Sequence, residues 1–480
     1  MRRHHYIALF MIIIALVTFG RLCSYEFLNY DDGIHVYENP YVKNFNILHF
    51  WKKPYNRLYI PLTYNLWAFQ ARLAGLNPHV FHTTNVIIHL LSMLGVFSIL
   101  RLLIRDDWAA CAGALLFCLH PVQIEPVAWV SGLKGVLSGL LSLVAIWQYI
   151  LYADHRQKLH YILATMAFFL AMMAKPSAVV VPLVAGIVSY WILRRSFRQS
   201  LLELIPWVAL ALPIIILAKW AQPDIIIEFI PSLWKRPLVV GDALTFYLYK
   251  LFLPISLGPD YGRSPRFVLA QKWIYLTGLI PYLLAIVLIW KRRRPWLLAS
   301  LGVFVASVLP VLGLVPFGFQ DISTVADRYL YFAMLGPALG LAWFVSSHRG
   351  MLVRVICMLI LGILALGSTH QAQYWKDSCT LFKHALVVNP NSWLAHNNLG
   401  NALQQQGKLK QAIAHYTEAL RLRPNYPEAH NNLGTALAIQ GKLEQAITHF
   451  TEALKIKPDF KQARYNLNTA LQQKREQKSQ

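Results

Sequence analysis

The sequence predicts an all-α protein in two parts, a polytopic bundle of membrane helices followed by an α-solenoid of helical repeats. The first observation is composition, because 56% of the 480 residues are hydrophobic and only 14% are charged, which is too apolar for a soluble protein. The second is a series of long apolar runs that ends near Ser368. The third is a 34-residue period in the remaining part.

About eleven apolar runs before residue 369 are long enough to cross a bilayer. A further run, residues 243–255, carries Lys250 and Pro254, and we predict an interfacial or re-entrant helix there. The N-terminal "MRRHH" is followed by no A-x-A-like cleavage site, which favours an uncleaved first span over a signal peptide. The runs lie at residues 6–23, 80–104, 108–122, 132–152, 158–174, 177–193, 203–221, 273–290, 296–316, 327–346 and 351–369.

The net charge of +23 would suggest nucleic acid as the partner of a soluble domain, but here many positive charges cluster between apolar runs. If residues 243–255 do not cross, every cluster falls on one side, which the positive-inside rule makes cytoplasmic. Eleven of the fifteen Asp and Glu residues before residue 369 then lie outside. Nine of them are in loops 24–79, 120–132 and 222–272, and two, Asp321 and Asp327, lie before or at the start of the 327–346 run. We therefore predict a multi-pass protein of the cell (inner) membrane with a cytoplasmic N-terminus and no nucleic-acid partner. The clusters are Arg2/Arg3, Arg101/Arg105, Arg156/Lys158, Arg194/Arg195/Arg198, Lys291–Arg294 and Arg349/Arg354.

The C-terminal part repeats, since "WLAHNNLGNALQQQGKLKQAIAHYTEALRLRP" returns as "YPEAHNNLGTALAIQGKLEQAITHFTEALKIKP". A period of 34 with Leu-Gly, Ala, aromatic and Pro residues at fixed offsets is typical of tetratricopeptide repeats. An odd number of spans places this part on the outer side. We divide the chain into a membrane domain, 1–369, and a periplasmic or lumenal repeat domain, 370–480, with a half repeat at 373–390, repeats at 393–426 and 427–460, and a cap at 461–480.

Asn398, Asn432 and Asn466 recur at one position on the first helix of successive repeats. Amide side chains there can hold an extended peptide backbone through a donor and an acceptor. The arrangement resembles the asparagine ladder of the nucleocytoplasmic O-linked N-acetylglucosamine transferases. The alternative is that Asn is simply a common residue of the repeat.

Four stretches on the predicted outer side carry charged residues beside apolar runs. A carboxylate beside a bilayer is costly unless it is solvated or used. A single charge at a helix end is more often a snorkelling anchor, but four such stretches on one face indicate a site. They are "NYDDGIHVYENPYV" (29–42), "HPVQIEPVAWVSGLKGVLS" (120–138), "MMAKPSAVVVP" (172–182) and "ADRYLYF" (326–332).

Together with "PISLGPDY" (254–261) and the repeat array, these stretches resemble the transmembrane and tetratricopeptide-repeat O-mannosyltransferases and their prokaryotic relatives. The membrane part of that family has the GT-C glycosyltransferase fold. The order of the motifs agrees along nearly the whole chain. One departure is "LKG" (Leu133, Lys134, Gly135), where relatives often read R-K-D. The Arg and the Asp of that motif are therefore missing here. Their loss would affect either the family's contact with the donor or activity itself.

The resemblance implies an inverting membrane glycosyltransferase that moves a hexose, mannose in the family, from a polyprenyl-phosphate carrier to a hydroxyl, Ser or Thr of a protein, on the outer face. Such chemistry needs a base for the acceptor proton and cations for the leaving phosphate. We expect the repeats to present the acceptor and the spans to hold the lipid donor. The candidates are Asp31 and Asp32 as base, Arg328 and Lys175 for the donor phosphate, and Glu125, Asp260 and Asp327 for the sugar.

No D-x-D pattern or ligand-spaced His cluster is present, so we predict no obligatory metal. His35, His120 and His160 are interpreted as structural or interfacial residues. The five cysteines lack ligand spacing and are interpreted as packing residues. Two other functions stay open: a non-catalytic scaffold whose repeats recruit envelope proteins, and a transporter. Charges at span ends rather than near the midplane disfavour the transporter.

Overall fold

The computed structural model of the protein describes residues 3–222, 228–290 and 295–479. Every regular element in these ranges is helical, and the β-bridge between Tyr55 and Leu58 is isolated. The all-α prediction is confirmed. Arg2, Asp224 and the Lys291–Arg294 cluster lie outside the described residues.

The chain forms two compact units, Met1–Phe27 with Asp31–Trp375, and Leu28–Tyr30 with Lys376–Gln480. We call them the membrane unit and the repeat unit. The helices of the membrane unit are α1 Arg3–Phe19, α2 Pro40–Lys43, α3 His49–Lys52, α4 Pro61–Ala74, α5 Pro78–Ile104, α6 Asp107–Leu119, α7 Ile124–Ala128, α8 Leu133–His155, α9 Lys158–Ala174, α10 Val181–Ile187, α11 Phe197–Trp220, α12 Arg236–Phe252, α13 Pro265–Leu269, α14 Ile274–Trp290, α15 Pro295–Val308, α16 Leu335–Ser347 and α17 Met351–Ala372.

Some apolar helices of the membrane unit are long enough to cross a membrane, and others are shorter. By length and composition, five helices of the described chain can cross a membrane, or six if Asp107–Leu119 and Pro121–Ala128, bent by 52°, form one span. The five are His4–Ser24, Pro78–Ile104, Val130–His155, Phe197–Trp220 and Met351–Trp375. Shorter apolar helices coincide with the other predicted runs, Lys158–Ala174, Pro176–Ile192, Ile274–Trp290, Pro295–Val311 and Leu335–Ser347. The count of eleven stays a prediction. Most of the 243–255 run forms the C-terminal part of α12, which has 17 residues and ends at Phe252.

Local sequence signals explain where the long helices begin and end. The Asn77 side chain accepts a hydrogen bond from His79 N, and Pro78 occupies the first position of α5. Asp106 caps α6 and Ser196 caps α11 in the same way. Helices α8 and α9 form an antiparallel hairpin, in which Ser138 Oγ donates to the Ala171 carbonyl at 3.0 Å. These elements place the start of α8 and the end of α9 side by side.

The segment between α7 and α8 is tightly packed. An added Cβ on Gly132 would lie 2.2 Å from the Pro126 carbonyl oxygen, so only glycine fits there. Asn85 of α5 donates through Nδ2 to the carbonyls of Val127 (3.3 Å) and Trp129 (2.8 Å). We call residues 126–132 the glycine turn. Its packing fixes the residues on either side of it, which carry candidate side chains.

The repeat unit consists of paired helices. Gly400 and Gly434 leave room for the rings of Tyr416 and Phe450, because a Cβ would lie 2.5 and 2.7 Å from those rings. The helices are α18 Ser378–Val388, α19 Trp393–Gln405, α20 Leu409–Leu422, α21 Pro427–Ile439, α22 Leu443–Ile456 and α23 Lys461–Ser479. The predicted solenoid is therefore observed.

Each of the two full repeats contains a contact between two histidine rings. His396 and His415 face each other with their Nδ1 atoms 3.0 Å apart, and His430 and His449 repeat this contact at 3.1 Å. We call these the histidine pairs. Each joins the first and second helix of one repeat.

Candidate active site

Asp32 is fully buried and is held by Ser131 of the glycine turn. Its Oδ1 accepts hydrogen bonds from Ser131 N at 2.9 Å and from Ser131 Oγ at 2.6 Å. A buried carboxylate requires such donors, and bonds to a charged acceptor are stronger than neutral ones. The pair joins the first long loop to the start of α8, across 99 residues of sequence. This bond fixes the loop that carries both predicted acids.

The neighbouring acid, Asp31, is accessible. Its carboxylate is 36% exposed and lies 3.5 Å from Lys134 Nζ. Lys134, in the first turn of α8, also lies over the Trp129 ring, 5.2 Å from its centroid. The two adjacent acids therefore differ, one buried and anchored, the other open to a ligand. Sequence reasoning missed Lys134 as a site residue because it counted Lys134 only within the "LKG" departure.

Glu125 and Arg328 form a buried ion pair. Arg328 Nη1 donates to Glu125 Oε1 at 2.5 Å, and Arg328 N donates to Oε2 at 3.0 Å. Their side chains are 2% and 12% exposed. The guanidinium also lies 4.1 Å from the Phe319 ring centroid and 5.9 Å from that of Trp129. These contacts fix the orientation of the guanidinium.

Lys175 lies in the break between α9 and the following turn. Its Nζ is 5.9 Å from the Tyr329 ring centroid and would lie 3.7 Å from a Cβ on Gly135. Burial lowers the pKa of Lys175 to about 7, and the charges of Lys134 and Arg328 act in the same direction. An anion bound here would relieve this repulsion.

These side chains form a single charged group that we call the ionic cluster. The ring of Trp129 contacts the cations of both Lys134 and Arg328. The cluster contains three acids and three bases, Asp31, Asp32, Glu125, Lys134, Lys175 and Arg328. It unites the predicted base and phosphate candidates and includes one predicted sugar candidate.

The other two sugar candidates accept hydrogen bonds from residues outside the ionic cluster. Asp327 accepts from Tyr261 Oη at 2.8 Å with both of its oxygens. Asp260 Oδ1 accepts from Gly262 N at 2.7 Å, which is a turn contact. Tyr261 also contacts Lys250, whose Nζ is 5.0 Å from its ring centroid. Asp327 adjoins the ionic cluster through Arg328, while Asp260 stabilises its own loop.

The three predicted structural histidines each make a hydrogen bond. His35 bonds Tyr64 Oη at 2.7 Å and stacks on Trp67. Burial and the charge of Lys134 lower the pKa of His35 to about 4, so it is neutral at physiological pH. His120 bonds a carbonyl of α12, and His160 bonds a glutamine side chain. No group of three or more His, Cys, Asp or Glu side chains in the described ranges is arranged to hold a metal.

The asparagines of the repeats join one repeat to the next. Asn432 Nδ2 donates to Asn397 Oδ1 at 3.0 Å, and Asn466 Nδ2 donates to Asn431 Oδ1 at 2.9 Å. Asn398 Oδ1 accepts from Asn397 Nδ2 at 3.3 Å. An amide has two N–H donors and two acceptor sites. These bonds occupy part of the capacity of each ladder asparagine.

Comparison with known families identifies the membrane part. Residues 56–375 match a family described as "6-pyruvoyl-tetrahydropterin synthase related domain; membrane protein". That is more than half of the 480 residues. The chain belongs to this family. Residues 381–414, 400–438 and 427–460 match tetratricopeptide repeat models, which confirms the predicted repeats beside the membrane-protein family domain.

Relatives of this family member confirm the resemblance noted in the sequence. A protein O-mannosyl-transferase of Caenorhabditis elegans is 25% identical over 440 residues, covering 85% of this chain and 61% of the relative. The protein O-mannosyl-transferase TMTC3 of Mus musculus is 23% identical, covering 77% of this chain and 45% of the relative. TMTC1 of Homo sapiens is 25% identical, with 83% and 53% covered. The chain thus spans about half of the length of these relatives.

Two solved structures are similar to this member of the family. The oligosaccharyltransferase of Archaeoglobus fulgidus in its apo form has a TM-score of 0.46 and 12% identity, covering 91% of this chain and 68% of that one. ArnT of Cupriavidus metallidurans, bound to undecaprenyl phosphate, has a TM-score of 0.38 and 13% identity, covering 94% and 80%. Neither likeness assigns a role to a residue of this chain.

Proposed function

We propose that the protein is a membrane glycosyltransferase of the GT-C type that moves a hexose from a polyprenyl-phosphate carrier to a hydroxyl acceptor. The observation that carries the proposal is the ionic cluster, which holds an accessible carboxylate within 3.5 Å of a cation and two further cations nearby. The relatives are named protein O-mannosyl-transferases, which favours mannose as the sugar, Ser or Thr of a protein as the acceptor, and an enzyme over a scaffold.

Asp31 and Asp32 have different roles in this proposal. A general base must come within hydrogen-bond reach of the proton that it removes. Asp31 is exposed enough for an acceptor hydroxyl to reach it, whereas Asp32 is closed off by Ser131. We assign proton removal to Asp31 and the anchoring of its loop to Asp32.

The cations stabilise the phosphate as it leaves. Positive groups fixed in advance where negative charge develops lower the barrier without reorganisation. Arg328 is fixed by Glu125 and by aromatic rings, and Lys134 and Lys175 provide two more positive charges. A single in-line displacement of this phosphate inverts the anomeric centre, as in inverting glycoside chemistry. The proposal involves no obligatory metal.

The catalytic assignment is tested with Asp31→Asn and Asp32→Asn in proteoliposomes that contain a polyprenyl-phosphate mannose and an acceptor peptide. We expect Asp31→Asn to lower kcat by about 10²- to 10⁴-fold, the usual contribution of a general base, with an unchanged thermal unfolding temperature. Asp32→Asn should lower both activity and unfolding temperature, because it removes the negative charge that strengthens the two hydrogen bonds from Ser131. Glu26→Gln, which changes an exposed acid five residues before Asp31, is the control. Full transfer by Asp31→Asn removes the base assignment.

We propose that the repeat unit holds the acceptor peptide on the outer side of the membrane. Covalent attachment of the repeats to the membrane unit raises the local acceptor concentration without new catalytic contacts. Replacing Asn398, Asn432 and Asn466 together by Ala should raise the KM for the acceptor peptide and leave hydrolysis of the donor unchanged. Asn425→Ala, at an exposed site off the ladder, is the matched control. An unchanged KM in the triple variant contradicts the ladder.

A further inference from the structure

A second charged site lies at the other end of the membrane unit. A cavity of about 560 Å³ is lined by Arg105, Arg156, Arg194 and Arg195, at the C-terminal ends of α5 and α8 and just before α11. It is also lined by Asp154, twenty residues along α8 from Lys134, which is about 30 Å at 1.5 Å per residue. The cavity is therefore separate from the ionic cluster.

The arginines of this cavity exceed the nearby acids. Glu203 accepts from Arg195 through both oxygens, at 2.7 and 2.5 Å, and from Arg156 at 2.9 Å. One carboxylate thus pairs with two guanidinium groups, and Asp154 lines the cavity as well. Arg195 is only 8% exposed, and its Nε is buried without a hydrogen-bond partner among the described residues. Four arginines and one acid, Asp154, are among the residues that line the cavity. This excess of positive charge and the buried Nε of Arg195 favour an anion as the ligand.

Three of these arginines lie in left-handed backbone. Arg105, Arg156 and Arg194 have φ values of 60°, 56° and 53°. Residues other than glycine rarely adopt this left-handed conformation, and glycine is the usual residue where a helix ends in it. Three helical segments here keep arginine instead. All three arginines line the cavity.

Six apolar residues also line the cavity, and we call them its apolar wall. They are Leu102, Leu103, Ile150, Leu151, Ile192 and Leu193. Basic pockets between membrane helices bind phosphate-bearing lipid headgroups, and guanidinium groups match phosphate oxygens with paired donors. We propose that this cavity binds the phosphate of an anionic phospholipid headgroup, with an acyl chain along the apolar wall. A free phosphate has no apolar group that could pack against that wall.

The test uses full-length protein in detergent and the double variant Arg105→Gly with Arg194→Gly. Glycine suits the left-handed backbone at both positions, so the fold is retained while two charges are lost. Short-chain phosphatidylglycerol, short-chain phosphatidylcholine and inorganic phosphate are titrated by calorimetry. Arg198→Ala is the control, because Arg198 is exposed nearby but does not line the cavity.

We expect wild type to bind phosphatidylglycerol but not phosphatidylcholine, and the double variant to bind about thirtyfold more weakly, from the usual contribution of an arginine near an anionic lipid. Arg198→Ala should bind as wild type does, and the lipid-free unfolding temperature of the double variant should match wild type. Equal affinity in the double variant and wild type overturns the site. Displacement of the lipid by inorganic phosphate at equal concentration overturns the choice of a lipid.

Discussion

Gly132 offers a sharp test of how the glycine turn positions the ionic cluster. In Gly132→Ala, the new Cβ would lie 2.2 Å from the Pro126 carbonyl oxygen. Real contacts of this kind essentially never fall below 3.0 Å, so the turn must move by roughly 0.8 Å, the difference between these two distances. Ser131 and Trp129 lie in this turn and contact Asp32, Lys134 and Arg328. A displacement of about 1 Å at a catalytic centre can lower the rate about 10²-fold.

The assay is the proposed transfer of mannose from the lipid carrier to peptide, with the thermal unfolding temperature of each variant measured in parallel. We expect Gly132→Ala to fall by about 10²-fold in kcat while the protein remains folded. Gly95→Ala is the matched control, since its Cβ would meet Leu143 Cβ at an ordinary 3.7 Å. A folded Gly132→Ala protein with the wild-type rate refutes the idea that the glycine turn sets the geometry of the cluster.

Two predictions concern pH. With its pKa lowered to about 7 by burial, Lys175 loses its charge as pH rises through 7, so donor affinity should fall over that range; Lys175→Arg stays charged and should flatten the profile, as measured by donor Kd between about pH 6 and 8. In the repeats, burial lowers the pKa of His396, His415 and His449. The unfolded chain then binds more protons than the folded one below pH 6.5, so the repeats should lose stability as pH falls, as measured by hydrogen exchange.

Each of these two pH predictions can be contradicted by a specific result. Equal steepness of the donor-binding profile in wild type and Lys175→Arg assigns the pH dependence to another group. The matched control is Lys158→Arg, an exposed lysine at the start of α9. For the repeats, His415→Gln with His449→Gln removes both pairs and should reduce the loss at low pH. The histidine pairs are not responsible if amide exchange in α19–α22 accelerates equally in this variant and in wild type.

The fold was predictable where the signal is local. Apolar runs and capping residues such as Asn77 and Asp106 indicate helices within a short stretch of sequence. The 34-residue period is found by aligning the chain with itself. Helix ends were less predictable. The run proposed from residue 327 contains a tight turn at Asp327–Tyr329 and becomes helical only at Leu335, because composition does not distinguish an apolar turn from an apolar helix.

The site was only partly predictable, because its bonds join distant positions. Asp32 and Ser131 are 99 residues apart, and Glu125 and Arg328 are 203 apart, so no short window contains either pair. The motifs predicted the acids and the arginine as site residues but did not predict which residues they bond to. Lys134 lay within a motif that matched poorly, and only its contact with Asp31 reveals its position. Asp260 has the right residue type, yet its carboxylate is used by its own turn.

The asparagine contacts between repeats have a consequence for how the array changes over evolutionary time. Each amide reaches back 35 residues to an amide in the preceding copy, at 3.0 Å from Asn432 to Asn397 and at 2.9 Å from Asn466 to Asn431. Each full repeat carries both an acceptor position, Asn397 or Asn431, and the adjacent position, Asn398 or Asn432, that corresponds to the donor. A tandem duplication or an in-frame loss of one unit therefore recreates the same junction, so the array can gain or lose copies without any compensating substitution.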